Sequence, residues 1–86
     1  MTLDGENKDG DIIIYPNPAK DSFKILGKQG KYTAYIYDNR GKLVHLTVQE
    51  DDATVRIPDF TSGIYYVILK YDGGKKEYKK VLILNK

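Results

Sequence analysis

Short runs of β-branched and aromatic residues recur along this chain at intervals of about 8–12 residues, and turn residues separate most of them. Such side chains suit the pleated, half-buried surface of a sheet, and no long stretch shows helical periodicity. The runs are Ile12–Tyr15, Ser22–Leu26, Tyr32–Tyr37, Leu43–Gln49, Ala53–Ile57, Ile64–Tyr71 and Lys76–Leu84. We therefore predict an all-β fold, a small Ig-like antiparallel β-sandwich of about seven strands.

Alternation within the runs predicts which side chains form the core. Side chains at every second position of a strand share a face, and the more apolar face is expected to point inward. The side chains predicted to face the core are Phe23, Ile25, Ala34, Ile36, Val44, Leu46, Val48, Val55, Ile57, Tyr65, Val67 and Leu69. The last run is apolar on both faces at residues 81–84, so its inward face stays open at this point.

Size and charge divide the chain into two parts. Its 86 residues form one domain with room for one thin core. Four carboxylates and one lysine give residues 1–11 a net charge of −3, whereas six lysines and two carboxylates give residues 70–86 a net charge of +4. Acidic, glycine-containing composition is typical of linkers. We predict an acidic flexible linker over residues 1–11 and a folded domain over residues 12–86.

Composition excludes several classes of function. The net charge of +2 is too small to indicate nucleic-acid binding, and a chain without cysteine has no thiolate chemistry and no disulfide. His45 is the only histidine, and alternation places it on the outer face without a partner for acid-base catalysis. We predict no catalytic residue, no metal site and no cofactor, so the chain is not expected to be an enzyme.

Two acidic stretches superficially resemble calcium sites. Glu50-Asp51-Asp52 lies between two strands, where it forms either a calcium site or an ordinary solvated hairpin tip. The hairpin tip is favoured because calcium takes about six or more oxygen ligands from a shaped loop. Residues 4–11 fit a calcium loop poorly, since Gly5 would be the first ligand and Pro16 the closing acid.

A rigid segment follows the first run. In Tyr15-Pro16-Asn17-Pro18 each proline fixes φ, lacks an N–H and biases the residue before it toward extended geometry. The strand ladder must therefore end at Pro16 or lie at an edge there. Two interpretations stay open, a stiff connector between strands or a surface that a partner recognises.

Three motifs and a terminal strand occur in order along the sequence. Tyr15-Pro16-Asn17-Pro18 comes first, then Tyr37-Asp38 with Gly41-Lys42-Leu43-Val44, then Gly63-Ile64-Tyr65-Tyr66-Val67, and a lysine-rich apolar strand ends the chain. With these motifs the chain resembles, over residues 12–86, the type A C-terminal sorting domain of the type IX secretion system (Por secretion system) of Bacteroidetes.

The resemblance implies an Ig-like, non-catalytic β-sandwich at the end of a longer secreted protein. Such a domain addresses an N-terminal cargo domain, through the periplasm, to the outer-membrane type IX translocon and its shuttle proteins. It implies removal by a cell-surface sortase within residues 1–11, and a cargo that is secreted or linked indirectly to lipopolysaccharide at the cell surface. The residues that match the sorting motifs are Tyr15, Pro16, Asn17, Pro18, Gly41, Lys42, Val44, Gly63 and Tyr65.

The last strand is the predicted contact with the translocon. The residues that match the terminal basic and apolar segment of the family are Lys79, Lys80, Val81, Leu82, Ile83 and Leu84. An exposed terminal strand can add to a partner's sheet, while its lysines discourage random edge pairing. Gly41 and Gly63 are expected to hold turns, and Tyr65 to anchor the core with its hydroxyl at a rim.

The competing interpretation is a carbohydrate-binding β-sandwich module appended to a secreted hydrolase. Some of the eight tyrosines would then form a platform for sugars. Position separates the two, because a sorting domain ends its polypeptide whereas a sugar-binding module can lie anywhere. A structural spacer of fibronectin type would fit the fold but leaves the order of the motifs unexplained.

Overall fold

A computed structural model describes residues 12–27 and 30–84, which form seven strands in two sheets. The strands are β1 (Ile13–Tyr15), β2 (Ser22–Leu26), β3 (Lys31–Tyr37), β4 (Leu43–Glu50), β5 (Ala53–Arg56), β6 (Gly63–Tyr71) and β7 (Lys76–Ile83). The orders are β1-β2-β5 in one sheet and β4-β3-β6-β7 in the other, and neighbouring strands are antiparallel. The predicted small β-sandwich is confirmed. No helix suited to crossing a membrane is found in the part of the chain that the structure describes.

The inner faces of the two sheets enclose an apolar core. Most of the side chains predicted to face inward are buried there, which confirms alternation as the guide for β2, β3, β5 and β6. They are joined by Val81 and Ile83, so β7 turns its odd-numbered side chains inward. Ile12 and Ile14 are buried as well, so the core begins at the first described residue.

The predicted inner face of β4 is wrong. Register pairs Ile36 of β3 with His45 and Ala34 with Thr47, and directly opposed residues of an antiparallel pair share a face. Ile36 and Ala34 are fully buried, so His45 and Thr47 point inward. The side chains predicted to face the core lie on the outer surface instead: Val44 (36% exposed), Leu46 (49%) and Val48 (59%). The register of the neighbouring strand, and not the apolar pattern of β4 itself, decides its orientation.

The predicted position of His45 is corrected for the same reason. Its side chain is half-buried on the inward side of β4 and not on the outer face. The imidazole meets the ring of Phe60 nearly edge to face, with ring centroids 6.2 Å apart and an interplanar angle of 74°. His45 therefore packs against the segment between β5 and β6 as part of the sandwich.

Candidate recognition site

The three motifs and the end of β7 meet at one end of the four-stranded sheet. Strand pairing aligns Tyr37 of β3 with Leu43 of β4 and with Tyr66 of β6, and Tyr66 with Lys80 of β7. Asn17 lies at the end of this row, where its side-chain amide donates a hydrogen bond to the carbonyl of Lys80 (3.3 Å). We call this region the motif end and define it as residues 15–19, 37–44, 59–66 and 80–84.

The segment after β1 takes the place of a strand along the outer edge of β7. The N–H of Leu82 donates to Oδ1 of Asn17 at 2.9 Å, next to the bond from Asn17 to the Lys80 carbonyl. The N–H of Ala19 donates to the Leu82 carbonyl, and the N–H of Leu84 to the Ala19 carbonyl, both at 2.8 Å. The side-chain amide of Asn17 and the backbone of Ala19 thus satisfy the hydrogen-bonding groups along the edge of β7 from the Lys80 carbonyl to the Leu84 N–H.

The first half of the same edge stays open. The backbone groups of alternate strand residues point to the same side, so those of Tyr78 and Lys76 face the side on which Leu82 meets Asn17. Within the described residues β7 pairs along its length only with β6. The exposed terminal edge expected from the sequence is therefore limited to the part between Lys76 and Lys80, because Asn17 and Ala19 cover the rest.

The side chains of β7 divide between the two faces. Lys80 is exposed on the outer face, whereas Lys79 is half-buried on the inner one. Val81 and Ile83 are fully buried in the core. Of the predicted contact residues, a partner of the folded domain can thus reach the side chains of Lys80, Leu82 and Leu84 most directly. Contact with the translocon stays a prediction.

The proline motif has a structural half and a surface half. Asn17 builds the edge of β7, while the side chains of Tyr15, Pro16 and Pro18 are exposed. Both peptide bonds that precede the prolines are cis. The two interpretations that the sequence left open, connector and exposed surface, are therefore compatible in one segment.

Asp38 organises the turn between β3 and β4. Its Oδ1 accepts the N–H groups of Arg40 and Lys42, both at 2.9 Å, and its carbonyl accepts the N–H of Gly41 at 3.0 Å. The hydrogen bond from the Lys42 amide, with that from Arg40, holds the pKa of the Asp38 carboxyl below its ordinary value. Gly41 has a φ of 87°, a conformation that side chains rarely adopt, so its predicted role in the turn is confirmed.

Tyr65 anchors the segment that leads into β6. Its hydroxyl donates to the carbonyl of Thr61 at 2.7 Å, and its ring packs on Phe60 with centroids 5.1 Å apart. This arrangement matches the tyrosine corner of immunoglobulin-type sandwiches. The side chain is buried, which confirms the predicted core anchor. Gly63, two residues earlier, was predicted to hold a turn, but it is the first residue of β6 and pairs with Ile83. Its φ of 154° is a conformation that side chains rarely adopt.

A cleft of about 370 Å³ separates the middle motif from the late motif. Asp38, Asn39 and Arg40 line one side, and residues 59–65 line the other, with Val44 between them. The lining combines aromatic rings with carboxylate, amide, guanidinium and hydroxyl groups, so it can bind a polar group through several hydrogen bonds. No histidine lies among these lining residues to serve as a base for the hydroxyls of Thr61 and Ser62.

The acidic tip between β4 and β5 binds the chain's own backbone. Oδ1 of Asp51 accepts the N–H of Gly30 at 2.8 Å, and Oδ1 of Asp52 accepts the N–H of Gly27 at 2.9 Å. Over residues 12–27 and 30–84, no group of three or more His, Cys, Asp or Glu side chains could hold a metal ion. The carboxylates brace the ends of the loop after β2, a role that the sequence analysis missed. Residues 4–11, the other acidic stretch, lie outside the described residues.

The fold and the motif end define a small β-sandwich module in which the three sequence motifs and the end of the last strand lie together at one end of one sheet. Residues 13–84 match the family described as the secretion system C-terminal sorting domain. The chain belongs to this family, the C-terminal sorting domains of type IX secretion. Domains of this family act as sorting signals, and they link a cargo protein to the secretion machinery. A protein with such a tail is secreted or displayed at the cell surface.

A curated relative and several solved structures are similar to the chain. It is 32% identical over 77 residues to an endo-acting ulvan lyase of Formosa agariphila, covering 85% of this chain and 15% of that protein. The chain thus spans only a small part of the relative's length, and the relative's activity belongs to that protein.

The solved structures support the fold alone. The first is PorZ, an essential surface component of the type IX secretion system of Porphyromonas gingivalis (TM-score 0.73, 24% identity, 86% of this chain, 11% of PorZ). The chain is also similar to dimeric latent PorU of the same organism, with a TM-score of 0.60 and 21% identity. The similarity covers 88% of this chain and 9% of PorU. CopC of Methylosinus trichosporium OB3b is similar with a TM-score of 0.56 and 15% identity, over 87% of this chain and 95% of CopC.

Proposed function

We propose that this domain directs an attached cargo protein through the outer-membrane type IX translocon, and that the translocon recognises the motif end of the folded sandwich. The observation that carries the proposal is the convergence of the three motifs and the end of β7 at one end of one sheet. Fold maintenance accounts for the buried members, such as Tyr65. It does not account for Tyr15, which is 60% exposed, or for the exposed Lys42.

Preorganisation supports recognition at this end. The hydrogen bonds of Asn17 hold the proline segment against β7, so Tyr15 keeps a fixed place relative to Lys80 and Leu82. A partner that binds such a surface does not have to order it first, which lowers the cost of association. The ammonium groups of Lys42 and Lys80 would steer the domain toward an acidic surface of the translocon.

The remaining steps of the route are part of the same proposal. Residues 12–86 act as the type A sorting domain, shuttle proteins accompany it, and a cell-surface sortase cuts within residues 1–11. The cargo is then released or linked indirectly to lipopolysaccharide. Composition favours the cut in residues 1–11, since proteases need extended substrate. Ile12 is buried in the core, so a cut beyond it would disrupt the fold. Mass spectrometry of mature cargo tests this, and a cut inside a strand would refute it.

Export of a reporter tests the main proposal. A folded fluorescent protein with an N-terminal signal peptide is fused to residues 1–86 in a Bacteroidetes host that has type IX secretion. We expect the fused reporter in the medium or on the cell surface, and a reporter without the domain in the periplasm. Retention of both in the periplasm would contradict the sorting function. Export without the domain would do the same.

A matched pair of variants tests the motif end. Lys80→Glu and Lys76→Glu change the same charge on the same face of β7, about 13 Å apart along the strand. We expect Lys80→Glu to trap the reporter in the periplasm and Lys76→Glu to leave its export unchanged, with equal melting temperatures. If both variants are trapped, or neither, recognition does not lie at the motif end. Lys79 is unsuitable for this test because its side chain is half-buried on the inner face.

A further inference from the structure

The outer face of the four-stranded sheet combines tyrosine, aliphatic and lysine side chains in rows that cross all four strands. The middle row consists of Leu46, Tyr35, Ile68 and Tyr78. The next row, away from the motif end, consists of Val48, Thr33, Lys70 and Lys76. Tyr78 is 67% exposed and Val48 59%. Exposed apolar side chains that lie next to one another on a sheet face form a candidate binding surface.

The charge on this face has one sign near its centre. Lys70 and Lys76 lie directly opposite each other on β6 and β7, and Lys80 follows on the same face. Among the strand residues that the structure places on this face, the acidic one is Glu50, which pairs with Lys31 at the far end. The middle of the face is therefore cationic as well as aromatic.

A shallow groove brings the two kinds of side chain together. Its volume is about 130 Å³, and it is lined by Tyr35, Tyr37, Ile68, Lys70 and Lys76. Enclosed sites for small molecules usually measure roughly 300–1,000 Å³. The groove is too small to enclose such a ligand, but it suits one unit of a polymer that lies across the sheet.

We propose that this face binds an anionic polysaccharide, with sugar rings against Tyr35 and Tyr37 and sugar carboxylates or sulfates paired with Lys70 and Lys76. Tyrosine rings offer flat apolar area at fixed positions together with a hydroxyl for hydrogen bonding. Single exposed ion pairs contribute little, so the binding depends on several units of one chain acting together. This activity goes beyond sorting, and of the four binding residues Tyr35, Lys70 and Lys76 lie outside the motif end, whereas Tyr37 lies at its border.

Other occupants fit the face less well. A second copy of this chain would bring the lysines of two faces together, and their repulsion opposes association. A protein partner favours an interface whose centre is depleted of charge and whose charges lie at the rim. Here Lys70 and Lys76 line the same groove as the tyrosines. Interleaved rings and charges match a polymer that alternates apolar ring faces with acidic groups.

Binding of defined polymers to the complete 86-residue chain tests the proposal. Affinity electrophoresis and calorimetry compare polygalacturonate, dextran sulfate, neutral dextran and polyglutamate. We expect binding to at least one of the two anionic polysaccharides, weakened by added salt, and none to dextran or polyglutamate. Polyglutamate bound as tightly as the polysaccharides would overturn the proposal in favour of an acidic protein partner. Absence of binding to both polysaccharides would overturn it as well.

Matched variants locate the site. Lys70→Gln with Lys76→Gln, and separately Tyr35→Thr with Tyr37→Thr, should each weaken binding about tenfold. Lys24→Gln with Arg56→Gln removes the same charge from the three-stranded sheet and should change affinity less than about twofold. An equal loss in this control pair would contradict the proposed face.

A measurement on the unaltered chain covers the case in which the tyrosine variants unfold. Amide chemical shifts of the wild type, titrated with the polysaccharide that binds, should change at β3, β6 and β7 around Tyr35 and Lys70. Changes confined to the three-stranded sheet would overturn the assignment. Neither result depends on export, so failure of this proposal leaves the sorting function standing.

Discussion

The side chain of Asn17 pairs with Leu82 as a neighbouring strand would, with the Leu82 N–H donating to Oδ1 at 2.9 Å across 65 positions of sequence. Pro16 and Pro18 have no N–H, so neither of these two residues can donate a backbone hydrogen bond to β7. The carboxamide supplies both an acceptor for Leu82 and a donor for the Lys80 carbonyl. An asparagine between two prolines thus closes an edge that would otherwise be open to strand addition.

Loss of this carboxamide should destabilise the domain measurably. Asn17→Ala removes two hydrogen bonds, which together contribute about 1–2 kcal/mol to the free energy of unfolding. We expect the melting temperature to fall by about 5–10 °C for a chain of this size. Asn39→Ala at the exposed β3–β4 turn is the control. An equal fall in its melting temperature would show that the two hydrogen bonds of Asn17 do not stabilise the domain.

The hydroxyl of Tyr65 gives a second prediction. Tyr65→Phe keeps the buried ring but removes the bond to the Thr61 carbonyl, so the free energy of unfolding should fall by about 1–2 kcal/mol. Tyr66→Phe changes the adjacent residue, which faces outward, and should cost less than about 0.5 kcal/mol. Urea denaturation of both variants measures the difference. Equal effects would argue against the tyrosine corner as an anchor.

Local patterns were sufficient to predict the strands and most of the core. Each strand has its own run of β-forming residues, and in β3 and β6 alternation identifies the buried side, as for Ile36 and Val67. The convergence of the motifs could not be predicted from local sequence patterns, because Asn17 and Leu82 meet only through the packing of the whole sandwich. The resemblance supplied the motif residues but not their common location.

The error at β4 has a physical cause. A three-stranded sheet cannot cover all four strands of its partner, and β4 lies at the edge of the wider sheet. Its inward positions are therefore only half-buried, which allows His45 and Thr47 there. Its outward positions hold Val44 and Leu46, although these side chains are not part of the core. For an edge strand, the apolar face and the inner face need not coincide.

The same substitution on two strands tests this orientation. Val→Thr keeps the shape of the side chain and adds a hydroxyl, which is costly only where it is buried without a partner. Val48→Thr should change the free energy of unfolding by less than about 0.5 kcal/mol, and Val67→Thr should lower it by about 1–3 kcal/mol. Urea denaturation compares the two. A larger loss at Val48 would place the inner face of β4 where the sequence pattern predicted it.

Acid should weaken the β3–β4 turn through Asp38. The amides of Lys42 and Arg40 favour the ionised carboxylate, so the pKa of Asp38 in the folded chain lies below the value of 3.8 expected for an unfolded chain. A lowered pKa means that the stabilisation is fully present above pH 3.8 and is lost as the pH falls through the lower, folded value.

Asp38→Asn keeps an acceptor oxygen without the charge, so the wild type should exceed this variant in stability above pH 3.8 and lose that advantage in stronger acid. Urea denaturation over this pH range, with the carboxyl titration followed by NMR, measures both quantities. Parallel pH profiles for the two proteins would mean that the charge of Asp38 has no part in holding the turn.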